Sequence, residues 1–205
     1  MWIATMAKPD PSFAAHNVAK FSDNPGPAHW KAVMEVMKYL KRTTDYGIVY
    51  GGTSGNDTEL SAWVDADHAT CPNTRHSVSG AAFMLAGGDI RWFSQAHELT
   101  ASARSESEYI APAEATNELH SLRQVKPFMS PPADTRIPLH EHNRGAKKMT
   151  NNRFSSRRTR HIDVKHQVVR DAINISFIRV EKVNSGEQHA DILTKALDAK
   201  TFERH

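Results

Sequence analysis

The sequence predicts an α/β (mixed α+β) fold, in which a five-stranded mixed sheet is flanked by helices and preceded by a short helical segment. Three consecutive stretches of the 205-residue chain carry strand patterns, and helical and extended patterns alternate after them. This order is typical of a mixed sheet covered by helices. We expect helical residues 1–50, a Gly-rich linker over 51–57, a main domain over 58–199 and a tail over 200–205.

The composition is that of a folded protein without a membrane-spanning segment. Hydrophobic residues make up 39% of the chain and charged residues 24%, and no apolar run is long enough to cross a bilayer. The amino terminus lacks the basic start and apolar centre of a signal peptide. The single cysteine, Cys71, excludes an internal disulfide and fits a reducing compartment. We therefore expect a cytoplasmic protein without membrane contact.

The clearest helical pattern in the first fifty residues begins after the break at residues 24–27. Apolar side chains recur there at the spacing of an amphipathic helix, and basic side chains stand near its end, where the helix dipole favours them. A stripe of this kind usually lies in a core, and we expect the same here. Residues 46–50 then read as a short strand. The apolar positions are Trp30, Val33, Met34, Met37 and Leu40.

The first strand of the main domain leads into acidic residues. Its polar and apolar residues alternate, which predicts a half-buried strand with Leu60, Ala62 and Val64 on one side. Asp65 and Asp67 stand at or just past its end. Two interpretations remain open. The acids could cap their own backbone in a turn, which this stretch alone favours, or they could begin a divalent-cation site.

Four further strands follow along the chain. Residues 78–85 and 89–93 are β-rich, and the glycine pair at 87–88 between them predicts a hairpin. Residues 135–140 and 175–180 read as the fourth and fifth strands. Together with the first strand they complete the expected sheet.

Three helices are expected among these strands. The longest runs from residue 105 to about 126, where its first serine and Glu108 form a capping box. Pro112 is a local misfit in its second turn, since proline removes a backbone donor. Residues 161–172 form a second helix, and a last helix covers roughly 187–197.

Acidic residues are spread over elements that a mixed sheet could bring to one edge. Asp65 ends the first strand, and Asp191 falls in the last helix. Glu106 and Glu108 lie in the first turn of the long helix. Carboxylates that hold two divalent cations about 3.5–4 Å apart are a common device for phosphodiester hydrolysis. Each acid also has a plainer explanation, as a helix-terminal charge or a surface residue, and spacing alone leaves both open.

The net charge of +3 is unevenly distributed. Between residues 144 and 170 a run of basic residues faces Asp163 alone, which is too one-sided for an ordinary mixed surface. Phosphate backbones are the natural partner of such a run, with a solvated face as the alternative. The candidate nucleic-acid-binding residues are Arg144, Lys147, Lys148, Arg153, Arg157, Arg158, Arg160 and Lys165.

A series of short motifs runs in order along almost the whole chain. They are H-W-K-A at 29–32, D-Y-G at 45–47, V-D-A-D at 64–67, S-V-S-G at 77–80, I-R-W-F-S at 90–94, E-S-E-Y-I-A at 106–111, R-T-R-H-I-D at 158–163 and A-D-I-L-T-K at 190–195. In this order they resemble the carboxy-terminal end of the Pol polyprotein of copia-type LTR retrotransposons. Residues 1–50 would then correspond to the end of reverse transcriptase, and residues 58–199 to its RNase H domain.

The resemblance implies an RNase H-like fold and metal-dependent hydrolysis of the RNA strand of RNA–DNA hybrids. It implies two Mg²⁺ or Mn²⁺ ions held by Asp65, Glu108 and Asp191, with Asp65 bridging both ions. Glu106 is the alternative ligand if the register of the helix differs. The implied partner is an RNA–DNA hybrid or another nucleic acid. A virus-like particle and the nucleus join the cytoplasm as expected compartments.

One motif departs from the family pattern. The segment that matches the family's C-D-N-Q-S-A reads E-H-N-R-G-A at 141–146, so His142 stands in the catalytic set in place of a metal-binding aspartate. A neutral imidazole supplies one nitrogen where a carboxylate supplies charge and the oxygens that Mg²⁺ prefers. Glu141 should point to the opposite face of the strand, which makes it a poor substitute. We therefore expect cleavage to be weakened or lost, with a non-catalytic nucleic-acid-binding remnant or an inert scaffold as alternatives.

Overall fold

The structure, a computed structural model, describes residues 1–51, 59–67, 76–96, 104–125, 136–142 and 160–203, without the side chains of 104–108 and 160–163. The helices are α1 Trp2–Met6, α2 Ser12–Ala19, α3 Pro27–Arg42, α4 Arg104–Val125, α5 Arg160–Asn174, α6 Asp191–Thr194 and α7 Ala199–Phe202. The strands are β1 Ser61–Asp67, β2 Val78–Leu85, β3 Gly88–Ala96, β4 Ile137–Glu141 and β5 Ile178–Lys182. Cys71 and nearly all of the expected 51–57 linker lie outside the described residues.

Five strands form one mixed sheet in the order β3-β2-β1-β4-β5. The central strand β1 is antiparallel to β2 and parallel to β4, and β4 is parallel to β5. Parallel neighbours need crossover connections, and α4 and α5 lie in these connections. The predicted fold class is therefore confirmed. Within the described parts of the chain, no helix is long and apolar enough to span a membrane.

The main core lies between the sheet and the two long helices. Leu60, Ala62 and Val64 of β1 are at most 3% exposed, as their alternation predicts. They pack against residues that α4 and α5 contribute to the same cluster: Tyr109, Ala113, Leu119, Val169 and Ala172. Burial of this continuous apolar surface is the main force that holds both helices on the sheet.

The turn interpretation of the acidic stretch was wrong. β1 continues through Asp67, which is opposite Val78, because β2 supplies ladder partners along its whole length. The hairpin between β2 and β3 is present, but its turn residues are Ala86 and Gly87, with φ of 54° and 78°. Two successive left-handed residues suit the tight turn that matches the twist of a hairpin. Gly88 already pairs with Leu85.

The stripe on α3 is the largest departure from expectation. Trp30, Met34 and Met37 are 66%, 41% and 55% exposed, so the prediction that this stripe is core was wrong. The helix itself has the predicted position. It is held through another face, where the Tyr39 hydroxyl donates a hydrogen bond to Asp10 and the ring of Tyr39 meets the ring of Phe202 edge-on.

The amino-terminal segment packs on the outer part of the sheet. The Trp92 indole on β3 donates a hydrogen bond of 2.7 Å to the carbonyl of Ala4. The backbone N–H of Ala96 donates one of 3.2 Å to His16 Nε2. These contacts join α1 and α2 to the edge strand.

Residues 46–50 do not form the predicted strand. This stretch runs beside the β2–β3 hairpin, where the N–H of Gly51 donates to the carbonyl of Ala86 at 2.8 Å. The Tyr50 hydroxyl also donates to the carbonyl of Asp89 at 2.7 Å. Both contacts lie at the end of the stretch, so they do not build the repeated ladder that defines a strand.

The elements after β3 differ from the prediction mainly in their limits. α4 is continuous through Pro112, although proline was expected to disturb it. β5 begins at Ile178, three residues late, because α5 extends to Asn174 and a turn follows. The single helix expected over 187–197 is instead a 3₁₀ turn followed by α6. Part of the expected tail forms the short helix α7.

Candidate metal centre

Asp65 lies within the central strand, and its carboxylate is almost fully enclosed. The residue is 4% exposed and stands opposite Gly80 of β2. A Cβ atom on Gly80 would come within 2.7 Å of Thr194 and 2.8 Å of Leu193. Glycine is therefore required at this position for α6 to approach the sheet beside Asp65.

Hydrogen bonds fix the segment around α6 in this position. The Thr194 hydroxyl donates to Asp65 Oδ2. The Gln188 side chain, which is fully buried, donates to the carbonyl of Val64 at 3.0 Å. As a result Asp191, the first residue of α6, lies beside Asp65.

His142 reaches the same point from the neighbouring strand. β4 is parallel to β1, with Glu141 opposite Val64, so the residue that follows β4 lies beside Asp65. The Nδ1 atom of His142 is 3.2 Å from Asp65 Oδ1. One ligand atom from each of Asp65, His142 and Asp191 falls within a group of mutual distances no greater than 4.8 Å.

A lysine completes this cluster. Lys195 Nζ lies 2.9 Å from Asp191 Oδ1 and 3.5 Å from Asp65 Oδ2. Its side chain is 32% exposed, so the ammonium sits at the border between the enclosed carboxylates and solvent. The Asp65 carboxylate thus has His142 on one oxygen and Thr194 and Lys195 on the other.

These neighbours set the charge of Asp65. Burial by itself raises the pKa of Asp65, but the hydrogen bond with His142, the charge of Lys195 and the hydroxyl of Thr194 outweigh burial and hold this pKa at about 2. The same contact acts on the histidine in the opposite sense. The hydrogen bond to Asp65 raises the pKa of His142 against the effect of its burial. Asp65 is therefore ionised throughout the neutral range.

Asp191 has the opposite tendency. Burial raises its pKa to about 6, the nearby Asp65 charge adds to the rise, and Lys195 only partly offsets it. The two carboxylates are thus close enough for ionisation of one to disfavour ionisation of the other. Their proximity is electrostatically unfavourable unless positive charge lies between them.

The donor set fits a divalent cation. Two carboxylates and an imidazole converge within 4.8 Å, and two converging anions gain most from a positive ion. Carboxylate oxygens suit Mg²⁺ and Mn²⁺, whereas the imidazole nitrogen suits Mn²⁺ better than Mg²⁺. Asp65, Asp191 and His142 are the described residues that could hold such an ion.

The other predicted ligands lie in α4. Glu106 and Glu108 fall in its first two turns, but their side chains are outside the described part. Four positions beyond Glu108, Pro112 lines the cleft that also contains Asp65, Glu141 and His142. The helix segment that carries Glu108 therefore leads towards this cleft, and its role as a ligand stays a prediction.

Most of the predicted nucleic-acid-binding residues also lie outside the described residues. Arg144, Lys147, Lys148, Arg153, Arg157 and Arg158 belong to the 143–159 gap, and Arg160 opens α5 without a described side chain. Lys165 is described and pairs with Glu114 of α4 at 3.1 Å. The nucleic-acid role of this stretch remains a prediction.

Sequence reasoning missed Gly80, Thr194 and Lys195. The signal for the last two was the A-D-I-L-T-K motif, in which Lys195 follows Asp191 by four positions, the spacing of neighbours on a helix. Glu141 is opposite Val64 in the β1–β4 ladder, so alternation along the strands places its side chain on the face away from Asp65 and His142, as expected. It is 4% exposed and also borders the cleft.

The fold is RNase H-like. The structure aligns with LC11-RNase H1, isolated from compost, at a TM-score of 0.51 and 10% identity, covering 72% of this chain and 97% of that one. At this identity the likeness shows the fold alone. No family model matches the chain.

Sequence comparison finds relatives among the polyproteins of transposons. The chain is 31% identical over 210 residues to the retrovirus-related Pol polyprotein from transposon TNT 1-94 of Nicotiana tabacum, which covers 99% of this chain and 15% of that protein. It is also 35% identical over 118 residues to the secreted RxLR effector protein 161 of Plasmopara viticola, covering 58% of this chain and 82% of the effector. Over nearly its whole length the chain is similar to retrovirus-related Pol polyproteins from copia-like transposons. It spans about 15% of the length of the tobacco polyprotein.

Proposed function

We propose that this domain is a metal-dependent ribonuclease H that cleaves the RNA strand of RNA–DNA hybrids, and that His142 weakens this activity. The observation that carries the proposal is the convergence of Asp65 and Asp191 at one point of an RNase H-like sheet. The proposed set is completed by Glu108, on the helix that borders the same cleft. The expected partner is a nucleic acid.

The residues of the chain would contribute binding and charge rather than a nucleophile. A bound divalent cation would supply activation of water and neutralisation of the developing charge on phosphate. Asp65 is suited to hold such a cation because its pKa of about 2 keeps it ionised. Thr194 positions the Asp65 carboxylate by donating a hydrogen bond to it. Gly80 contributes indirectly, because the absence of a side chain there lets α6 approach the sheet.

His142 is the weak member of the set. Its Nδ1 lies 3.2 Å from Asp65 Oδ1, and Asp65 raises the pKa of the imidazole. A protonated imidazole cannot be a ligand and adds positive charge where an aspartate would add negative charge. Both effects weaken cation binding, and Mn²⁺ should tolerate the imidazole better than Mg²⁺.

The test is cleavage of a labelled RNA–DNA hybrid in Mg²⁺ and separately in Mn²⁺. We expect weak cleavage that is stronger in Mn²⁺, and an increase of at least about tenfold in His142→Asp, since loss of even a hydrogen-bonding partner of a metal ligand typically costs about 10–100-fold in affinity or activity. Asp65→Asn should remove cleavage in both backgrounds. Cleavage that survives Asp65→Asn would show that another site is responsible.

A second candidate is a nucleic-acid-binding remnant without catalysis. It is favoured by the pairing of the two carboxylates with His142 and Lys195, which leaves the described cluster with balanced charges. In that case hybrid binding should weaken steeply with salt and survive Asp65→Asn, while cleavage stays undetectable even in His142→Asp.

A further inference from the structure

Lys195 contacts both carboxylates of the candidate metal centre. Its ammonium lies 2.9 Å from Asp191 Oδ1 and 3.5 Å from Asp65 Oδ2. These two carboxylates are among the groups that would hold a divalent cation. An ammonium and a divalent cation cannot both occupy the region between them, because two positive charges about 4 Å apart repel strongly away from bulk water.

Lys195 is not required to hold α6 on the sheet. Thr194 donates to Asp65, Gln188 donates to the carbonyl of Val64, and Leu193 is fully buried against the sheet. The fit of α6 over Gly80 is made by Thr194 and Leu193. The packing of this segment therefore depends on residues next to Lys195. The Lys195 ammonium instead offsets the negative charge of Asp65 and Asp191.

We propose that Lys195 is a built-in counter-ion that competes with the divalent cation for Asp65 and Asp191. Cation binding then requires the ammonium to move away towards solvent, for which its position at the border with solvent is suited. The lysine thereby sets the concentration at which the site takes up a cation. This inference rests on the proposed function, because it assumes that the carboxylate pair is a cation site.

Cation binding by the full chain tests the proposal without measuring activity. Isothermal titration with Mn²⁺ should show binding at least about tenfold tighter in Lys195→Gln than in the unaltered chain, because one unit of competing charge has been removed. Lys195→Arg keeps the charge and should bind as weakly as the unaltered chain. Lys38→Gln, which removes an exposed lysine paired with Glu35 at 2.8 Å, is the matched control and should leave the affinity unchanged.

Adding Asp65→Asn to Lys195→Gln should abolish the gain, which assigns the tighter binding to this site. A second measurement follows the unaltered chain, and the Lys195→Arg variant serves only to assign the signal. Titration with Mg²⁺ should shift the side-chain NMR signal of Lys195, assigned by its loss in Lys195→Arg, more than that of any other lysine.

The outcomes separate this proposal from the proposed function. Equal or weaker Mn²⁺ binding by Lys195→Gln, or a Lys195 signal that Mg²⁺ leaves in place, would overturn the counter-ion role while the cation site stands. Failure of every form of the chain to bind Mn²⁺ or Mg²⁺ at millimolar concentration would overturn both.

Discussion

Two positions on the same face of the β1–β4 pair each place a histidine against a side chain of β1. The pKa values of the two histidines shift in opposite directions. At the first, the ring of His140 stacks on the ring of Trp63, with centroids 4.1 Å apart. At the next position on the same face, His142 Nδ1 lies 3.2 Å from Asp65 Oδ1. Burial lowers the pKa of His140, and Glu181 offsets this only in part. At His142, the hydrogen bond to Asp65 raises the pKa in spite of burial.

Strand geometry brings both pairs together, and the opposing residue of β1 decides whether the histidine favours its charged form. Alternate residues of neighbouring strands meet on one face whatever their type. An aromatic partner encloses His140 and disfavours its charge, whereas a carboxylate partner favours the charge of His142. A pair that serves packing and a pair that belongs to the candidate site therefore lie only two residues apart along the strands. Each pair can be altered separately.

Trp63→Ala removes the aromatic partner and should have the largest effect on stability. We expect the free energy of unfolding to fall by about 3 kcal/mol, since a large ring contact is lost at a partly enclosed position. The pKa of His140 should rise because water reaches its ring, and the pKa of His142 should stay in place. Chemical denaturation and NMR titration of the histidine ring protons measure both. Equal shifts at the two histidines would contradict the independence of the pairs.

Asp65→Asn removes the carboxylate partner and should act on the other pair alone. The pKa of His142 should fall, while that of His140 is unchanged. Asp65 has a folded-state pKa of about 2 against an ordinary value of 3.8, which corresponds to about 2 kcal/mol at neutral pH. Because the folded-state pKa is depressed, this contribution is present above pH 3.8 and is lost as the pH falls through about 2.

Denaturation of the unaltered chain and of Asp65→Asn between pH 2 and pH 7 measures this dependence. The difference between them should be largest at pH 7 and should shrink towards pH 2. A difference that stays constant over this range would show that Asp65 acts through packing rather than charge.

The sheet was predictable from the sequence because each strand carries its own local pattern. The alternation of Leu60, Ala62 and Val64 gave the buried face of β1, and the glycine pair near residue 87 gave the hairpin. The failures concern information that is not local. Residues 46–50 have strand composition, but a ladder partner decides whether a strand forms. Likewise the apolar stripe of α3 that includes Trp30 has the periodicity of a buried helix face. Periodicity does not show whether another part of the protein packs against that face.

The same distinction applies to the site. The motif resemblance pointed to Asp65, Asp191 and His142, and the structure brings these three together. Lys195 was missed because its role depends on a distance across the fold, to Asp65, that spacing along the chain does not give. Gly80 was missed for a similar reason, since the tight contact that requires glycine is made by α6, more than one hundred residues later.

Gly80→Ala should disturb the pair of Asp65 and His142 and leave the pair of Trp63 and His140 in place. The added Cβ would meet Thr194 at 2.7 Å and Leu193 at 2.8 Å, so α6 must shift away from β2. We expect a loss of about 1–2 kcal/mol in the free energy of unfolding, typical of overpacking. The shift should also change the pKa of His142 through Asp65, whereas the pKa of His140 should not change.

Gly47→Ala is the matched control, because a Cβ at Gly47 would meet no atom within 4 Å. It should leave stability nearly unchanged. If Gly80→Ala proved as neutral as this control in denaturation and in the histidine titrations, the close approach of α6 to the sheet would be refuted.

Asp191→Asn should give the smallest change in the free energy of unfolding, and it should raise this free energy where the other substitutions lower it. The folded-state pKa of Asp191 is raised to about 6 from 3.8, chiefly by burial. A carboxyl group with a raised pKa stabilises the fold while it is protonated, and this contribution is lost as the pH rises through about 6. The asparagine variant avoids that loss, so it should be more stable than the unaltered chain by about 1 kcal/mol at pH 7, and the gain should vanish near pH 4.

Asp198→Asn provides the contrast for this measurement, because Thr201 lowers the pKa of Asp198 where it caps α7. That variant should lose stability at pH 7 rather than gain it. A destabilised Asp191→Asn at pH 7 would mean that its pair with Lys195 outweighs the burial of the carboxylate. A gain in stability in Asp191→Asn would therefore show that the Asp191 carboxylate lowers the stability of the fold, as expected of a residue whose role is to hold a cation. Asp65, by contrast, would contribute both to stability and to cation binding.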